Sequence, residues 1–379
     1  MNTIPRSPGW WVYAAIGLGA TMTLREAWLT VALSLELPAL AWIAGRLKLQ
    51  VLRPVAVVMA IVVLLRLVAN PYVADYPIGS VPMLNWILYG YGIPAVAFFA
   101  AALRFRRDAD DLLVMLLEAG ALAFAGLLVT WEIHHLLAGP LHRPPRDLLE
   151  SSLQSIAWLA MAIGLGASRR WSLRPVPVWG RRILVGLAVA QILAIQMLWE
   201  NPLWSPTAVG DVPVLNLLLL AYGIPAALLL LSLWLGRATG RLAQAGRVLA
   251  LVLILLDLSL EVRRFFHGPV LSIGLTTDAE WYAYSAAWLG FAGVLLLLGI
   301  RGGSMGVRHG ALAVLLVTVG KVFLSDMADL TGLYRVASFV GLGLCLIGVG
   351  YLYQRFIFPP RPRPGAEAAG PAADADGRE

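Results

Sequence analysis

Twelve apolar runs of membrane length, separated by short loops, constrain this chain more than any other feature. They fall at 10–24, 27–45, 54–69, 84–103, 112–131, 148–168, 182–199, 214–235, 247–260, 280–300, 309–325 and 333–353. A spanning helix needs roughly twenty predominantly apolar residues. Backbone in lipid must close its hydrogen bonds within the segment, so such runs become helices. The expected fold is an all-α polytopic transmembrane protein of about 12 helices. Composition agrees: 13% of the residues are charged, about half the ~25% of a soluble domain, and mean hydropathy is +0.77. So few polar side chains cannot cover a globule of 379 residues, and the bilayer is the expected partner of most of the surface.

The basic residues orient the helices. Every second loop carries them: Arg46, Lys48 and Arg53; Arg104, Arg106 and Arg107; Arg169, Arg170, Arg174, Arg181 and Arg182; Arg237, Arg241 and Arg247; Arg301 and Arg308; Arg355, Arg361 and Arg363. The intervening loops have only Arg66, Arg143, Arg146, Arg263, Arg264 and Arg335, with Arg25 at the start of the second run. Short loops rich in Lys and Arg stay in the cytoplasm. This predicts a multi-pass protein of a bacterial cytoplasmic (inner) membrane with both termini inside. The net charge of +7 is spread over loops rather than gathered in one domain, which excludes nucleic acid as a partner. The single cysteine, Cys345, lies in an apolar run and forms no internal disulfide.

Two long stretches echo each other. NPYVADYPIGSVPMLNWILYGYGIPA begins at Asn70 and NPLWSPTAVGDVPVLNLLLLAYGIPA at Asn201; WEIHHLLAGP from Trp131 matches LEVRRFFHGP from Leu260; SIAWLAMAIGLG from Ser155 matches SAAWLGFAGVLL from Ser285. The period is about 130 residues and holds four helices, so tandem parallel four-helix repeats are expected, successive copies sharing one orientation. The division reads as a leading helix at 1–26, four-helix repeats at 27–147 and 148–279, a partial repeat of three helices at 280–356, and a Pro/Ala/Gly-rich disordered cytoplasmic tail at 357–379. The repeated Asn-Pro and Gly-x-Val-Pro stretches predict structured outer turns. Tyr-Gly-Ile-Pro inside two spans makes Gly92, Pro94, Gly223 and Pro225 the expected helix breaks, because proline removes a backbone donor.

Ionisable groups at membrane depth are costly and therefore candidates for function. Glu36, Glu118 and Lys321 lie inside apolar runs, with Asp326 five residues beyond the lysine; Lys321 is placed to pair with Glu118 or Glu36 across helices. On the outer side Glu132, His134 and His135 follow the fifth run, while Glu261, Arg263 and Arg264 occupy the matching place after the ninth. Carboxylate, imidazole and guanidinium together suit an anionic or lipid-linked ligand, or general acid/base work; solvated helix ends are the plainer reading. The Glu-x-His-His spacing resembles a ligand set for a metal, but arginines replace both histidines in the second copy, so neither metal nor cofactor is expected. Trp28, Trp86, Trp131, Trp199, Trp204 and Trp281 fall at the expected outer interface, and Trp10, Trp171 and Trp179 at the inner one, where amphipathic rings settle.

The last hundred residues carry a family likeness. SLEVRRFFHG from Ser259, YSAAWLGFAGVLLLLG from Tyr284, and the run from Val307 with Lys-Val-Phe-Leu-x-Asp (Lys321 to Asp326), Arg335-x-x-Ser338-Phe339 and Tyr351-x-Tyr353 resemble the C-terminal part of the bacterial predicted membrane proteins of domain of unknown function family 2339. The resemblance implies a polytopic membrane protein and no particular activity. No Walker loop, Gly-x-Ser-x-Gly or His-Glu-x-x-His is present. Three functions remain in view: a permease or binding component for an envelope metabolite or lipid head group; a membrane enzyme acting on a lipid-linked substrate at the outer face, with Glu132 or Glu261 as acid/base; and a structural component of an envelope complex.

Overall fold

The apolar runs become helices whose ends are set by local chemistry. In the structure, a computed structural model, the described residues are 27–69, 85–139, 147–167, 173–326 and scattered positions from 336 to 351. The leading helix, the first outer turn after Asn70, Arg143, Arg146, Cys345 and the tail lie outside them. In order, the helices are α1 (Ala27–Leu47), α2 (Leu52–Ala69), α3 (Ile93–Phe105), α4 (Leu112–Ala138), α5 (Leu148–Ala167), α6 (Pro175–Gln191), α7 (Ile224–Leu235), α8 (Arg241–His267), α9 (Asp278–Arg301) and α10 (Met305–Lys321). Four short π-helical segments join them: Leu88–Gly92 before α3, Ile192–Trp199 after α6, Leu219–Gly223 before α7 and Val322–Asp326 after α10. Asp111 caps α4 by accepting from Val114 N, Thr277 caps α9 by accepting from Glu280 N, and Ser304 caps α10 by accepting from Val307 N. At the other end of α4 and of α8 stand Gly139 (φ 81) and Gly268 (φ 76), positions where a side chain would be strained.

Seven helices among the described residues are long and apolar enough to cross a membrane. The others include the 18-residue α2 and the 27-residue α8, which carries Asp257, Glu261, Arg263 and Arg264. Strands are absent among the described residues, save for one antiparallel bridge between Ala208 and Val270. Large apolar side chains face outward along the helices: Val58, Leu65, Val68, Leu198 and Trp234 are all exposed. An apolar outer surface of this kind needs an apolar surround. Trp28, Trp179, Trp199 and Trp204 are likewise exposed, whereas Trp86 and Trp131 are partly buried.

The chain divides into two compact units, residues 1–274 and 275–379. In the first unit one apolar core runs through α1 to α4 around Leu37, Phe98, Leu117 and Phe124, and a second runs through α5 to α8 around Leu159, Ile192, Leu218 and Leu253. Small residues let the helices approach, as expected in lipid, where packing rather than water exclusion drives association. Gly120 is pressed against the ring of Phe98, and Gly180 against Leu122. In the first unit, residues of alternate loops come together at the same end of the helices. One end is basic: Arg104 lies on Gly45, Arg181 on Gly166 and Gly236, and Arg53 meets Asp111 at 2.7 Å. The second unit is built on the α9–α10 pair, in which Arg308 packs on Gly299 at the turn.

Candidate functional site

At the basic end, Arg174 stands just before α6 and reaches two carboxylates. Its Nη1 and Nη2 donate to Asp110, both at 2.8 Å, while Nε and Nη2 lie 3.2 and 3.0 Å from the Glu118 carboxylate. Arg106 adds a longer contact to Glu118 at 3.9 Å. Hydrogen bonds from Arg174 hold the Asp110 carboxyl below the usual range, and those to Asp110 raise the guanidinium in turn. Glu118 is the buried member of an ion pair with Arg174 that ties α4 to the start of α6.

The opposite end holds the outer candidates. Asn85 donates to Glu132 Oε2 at 3.1 Å, and its Oδ1 accepts from the backbone of Ile87 and Leu88, so one side chain starts the helix and holds the carboxylate. Asn216 does the same in the second set of helices, donating through a short bond to Glu261 and accepting from Leu218 N. Arg264 Nε then meets Glu261 at 3.0 Å and its Nη1 donates to the Asp211 carbonyl, while Arg263 donates to the Leu271 carbonyl at 2.7 Å. These arginines tie down the loops around them. His135 Nδ1 stays local, 3.1 Å from the Gly139 carbonyl.

His134 is different. It is 3% exposed, and its Nδ1 lies 2.7 Å from Oε1 of Glu150, itself 1% exposed. Gln154 donates to the same oxygen at 3.0 Å. Where Glu150 is ionised, this oxygen accepts from both and Nδ1 is a donor. Nε2, the other ring nitrogen, is buried with no hydrogen-bond partner. From Gln154 the network continues. Gln191 donates to Gln154 Oε1 and to the Ser151 carbonyl; Gln196 donates to that carbonyl and to Ser155 Oγ; Ser151 Oγ donates to Glu200. Tyr222, fully buried, donates its hydroxyl to the Gln196 carbonyl at 2.8 Å. Burial raises the Glu200 carboxyl, the Ser151 hydroxyl opposes this, and the nearby Asp147 and Glu150 add to the rise. The result is one buried polar network across α4, α5, α6 and the π-helical segments after α6 and before α7, gathered where α4 ends and α5 begins.

In the second unit Lys321 Nζ donates to the Trp281 carbonyl at 2.9 Å and to Ser285 Oγ at 2.8 Å, and it stands 4.9 Å from the centre of the Trp281 ring. Glu280, fully buried, accepts from Tyr284 OH at 2.6 Å. Asp326 ends the π-helical segment that follows Lys321. Glu36 lies in α1 with Oε1 buried and unpartnered.

The helix breaks are π-helical turns, with proline at the second position of the α-helix that follows. Proline's missing N–H cannot serve the preceding turn, and the wide turn absorbs the mismatch; such turns gather at functional positions. Gly92 and Gly223 close these segments where a neighbouring helix comes near: a Cβ would lie 3.6 Å from Leu128 at the first, and 3.2 Å from Asp257 Oδ2 at the second.

The sequence reading missed Asn85, Glu150, Gln191, Gln196, Asn216, Tyr222 and Asp257 as site members. Glu150 and Glu280 each stand five residues before the matched Ser155 and Ser285, a signal that was present. Asp257 was legible as one acid inside the apolar run 247–260. The glutamines carry no such mark. Among the described residues, no group of three His, Cys, Asp or Glu side chains is arranged to hold a metal ion.

No curated protein and no solved structure matches the chain. A family does, under the description Predicted membrane protein (DUF2339), over residues 3–356. The match extends well upstream of the motifs from Ser259 onward and takes in all the helices described above, so the chain belongs to this family of predicted membrane proteins.

Proposed function

We propose that the protein is a permease or binding component of the bacterial inner membrane, taking a small polar envelope metabolite from the outer side into the network between His134 and Tyr222. The observation that carries this reading is the network itself. A chain of buried polar side chains is costly unless something uses it, and Gln196 Oε1 and His134 Nε2 within it have no partner, nor does Glu132 Oε1 two residues before His134. Unfilled acceptors call for a ligand rich in hydroxyl or amine donors. The arginines that suggested an anionic or lipid-linked ligand are engaged by Glu261 and by loop carbonyls. The proposed topology has twelve spans with the basic end and both termini in the cytoplasm, supported by the gathering of Arg53, Arg104, Arg174 and Arg181 at one end.

Tandem parallel four-helix units, divided as the sequence suggests, are part of the same proposal. Supporting it, Asn85 holds Glu132 as Asn216 holds Glu261. Gln191 donates to the Ser151 carbonyl as Lys321 donates to that of Trp281, each just before a π-helical segment.

The test uses the lone native cysteine. In a Cys345→Ser background, Gln154→Cys, Gln191→Cys and Gln196→Cys should react with a small membrane-impermeant thiol reagent added from outside, more slowly than an exposed Trp204→Cys control. No reaction at any of the three while the control labels fully would mean a sealed polar core and would sink the reading. One observation favours a second reading, an enzyme acting on a lipid-linked substrate: His134, oriented by Glu150 with Nε2 facing away, has the geometry of a general base. Loss of lipid turnover in His134→Ala with the thiol labelling pattern intact would select it.

A further inference from the structure

Asp257 lies ten residues before the end of α8, about 15 Å along the axis at 1.5 Å per residue, between Leu256 and Leu258. Its Oδ1 is buried and has no hydrogen-bond partner. Its Oδ2 rests against Gly223, where a Cβ would stand 3.2 Å away. Gly223 closes the π-helical segment Leu219–Gly223, and Pro225 just beyond it has no N–H to give the turn facing Asp257. Tyr222 links this turn to a second π-helical segment, Ile192–Trp199, through its bond to the Gln196 carbonyl. Gln196 itself is fully buried with Oε1 unpartnered. Glu261, one turn along α8 and paired with Arg264, acts on Asp257, and Asp257 and Glu200 both act on Tyr222.

The first set of four helices shows that the carboxylate is not needed for packing. There the same kind of turn, ending at Gly92, meets Leu128 at the corresponding place. An acid that a leucine can replace in the matching contact, with one oxygen buried and unpartnered, needs a cation to neutralise it. Membrane proteins hold such ions where a helix is interrupted. We propose that Asp257 is the carboxylate of a monovalent-cation site, filled by a proton or by sodium and present in the second four-helix set only. Its use as a coupling site rests on the permease reading; its existence does not.

Infrared difference spectroscopy on the full chain in lipid nanodiscs tests it. The carbonyl stretch of one protonated carboxyl group should rise between mildly alkaline and mildly acid buffer and be lost completely in Asp257→Asn. If sodium fills the site, sodium chloride should remove this band at fixed pH where choline chloride does not; if a proton alone fills it, the two salts should act alike. Gly223→Ala, which crowds Oδ2, should shift the midpoint of the band several-fold in proton or sodium concentration while eluting as wild type on size exclusion. Identical spectra for wild type and Asp257→Asn under every condition would overturn the site. A band that behaves as described in a protein whose network thiols never label would refute the permease and leave the site standing.

Discussion

Arg174→Met is the sharpest perturbation of the basic end. In the native protein the Glu118 side chain is 4% exposed, with Arg174 Nη2 at 3.0 Å and Arg106 no closer than 3.9 Å. Removing one partner of a buried pair costs roughly 3–5 kcal/mol, because the remaining charge is stranded. The bonds to Asp110, which is half exposed, add no more than about 1 kcal/mol. Arg106 can swing inward and recover part of the loss. The expected net destabilisation is about 3 kcal/mol, on the order of a hundredfold in the folding equilibrium. It should be read from reversible unfolding in mixed micelles by tryptophan fluorescence. The double variant Glu118→Leu/Arg174→Met should return close to wild-type stability, since neither charge is then left alone. A loss below about 1 kcal/mol in Arg174→Met, or a double variant as unstable as the single one, would refute the argument that Glu118 is a structural acid.

Gly120→Ala places a Cβ 2.4 Å from the buried Phe98 ring, and overpacking of this kind should cost about 1–3 kcal/mol in the same assay. Tyr222→Phe removes the hydroxyl bond to the Gln196 carbonyl and should cost about 0.5–1.5 kcal/mol, with reaction at Gln196→Cys becoming faster. Glu200, whose carboxyl is raised by burial, binds its proton more tightly in the folded than in the unfolded state. Its contribution is therefore full below the unfolded value and lost as pH rises through the folded one. Glu200→Gln should flatten the stability profile across that window; an unchanged profile counts against a buried Glu200. Asn216→Ala frees Glu261 and uncaps Leu218 and should cost about 1–3 kcal/mol, measured by unfolding.

Much of the scaffold was legible in the residues alone. The run at 27–45 becomes α1 at Ala27–Leu47 and the run at 280–300 becomes α9 at Asp278–Arg301, because hydropathy in lipid is a local property: each helix satisfies its own backbone wherever its neighbours lie. The breaks before Pro94 and Pro225 were visible for the same reason, since a missing N–H acts within one turn. Partners were not. Glu118 and Arg174, or His134 and Glu150, sit on different helices, and no spacing along the chain tells which faces meet. That Arg174 is the partner of Glu118 could not be read from the sequence for that reason. Asn85 and Asn216 looked like turn residues and are turn residues, but only packing reveals that each also holds a glutamate. What the sequence alone determined, then, is which segments are helical and apolar and which loops are basic, since these follow from each segment's own side chains. Tertiary structure decided which buried charges are matched, which acceptors are left open, and that Asp257 faces a glycine, because these depend on distances between helices.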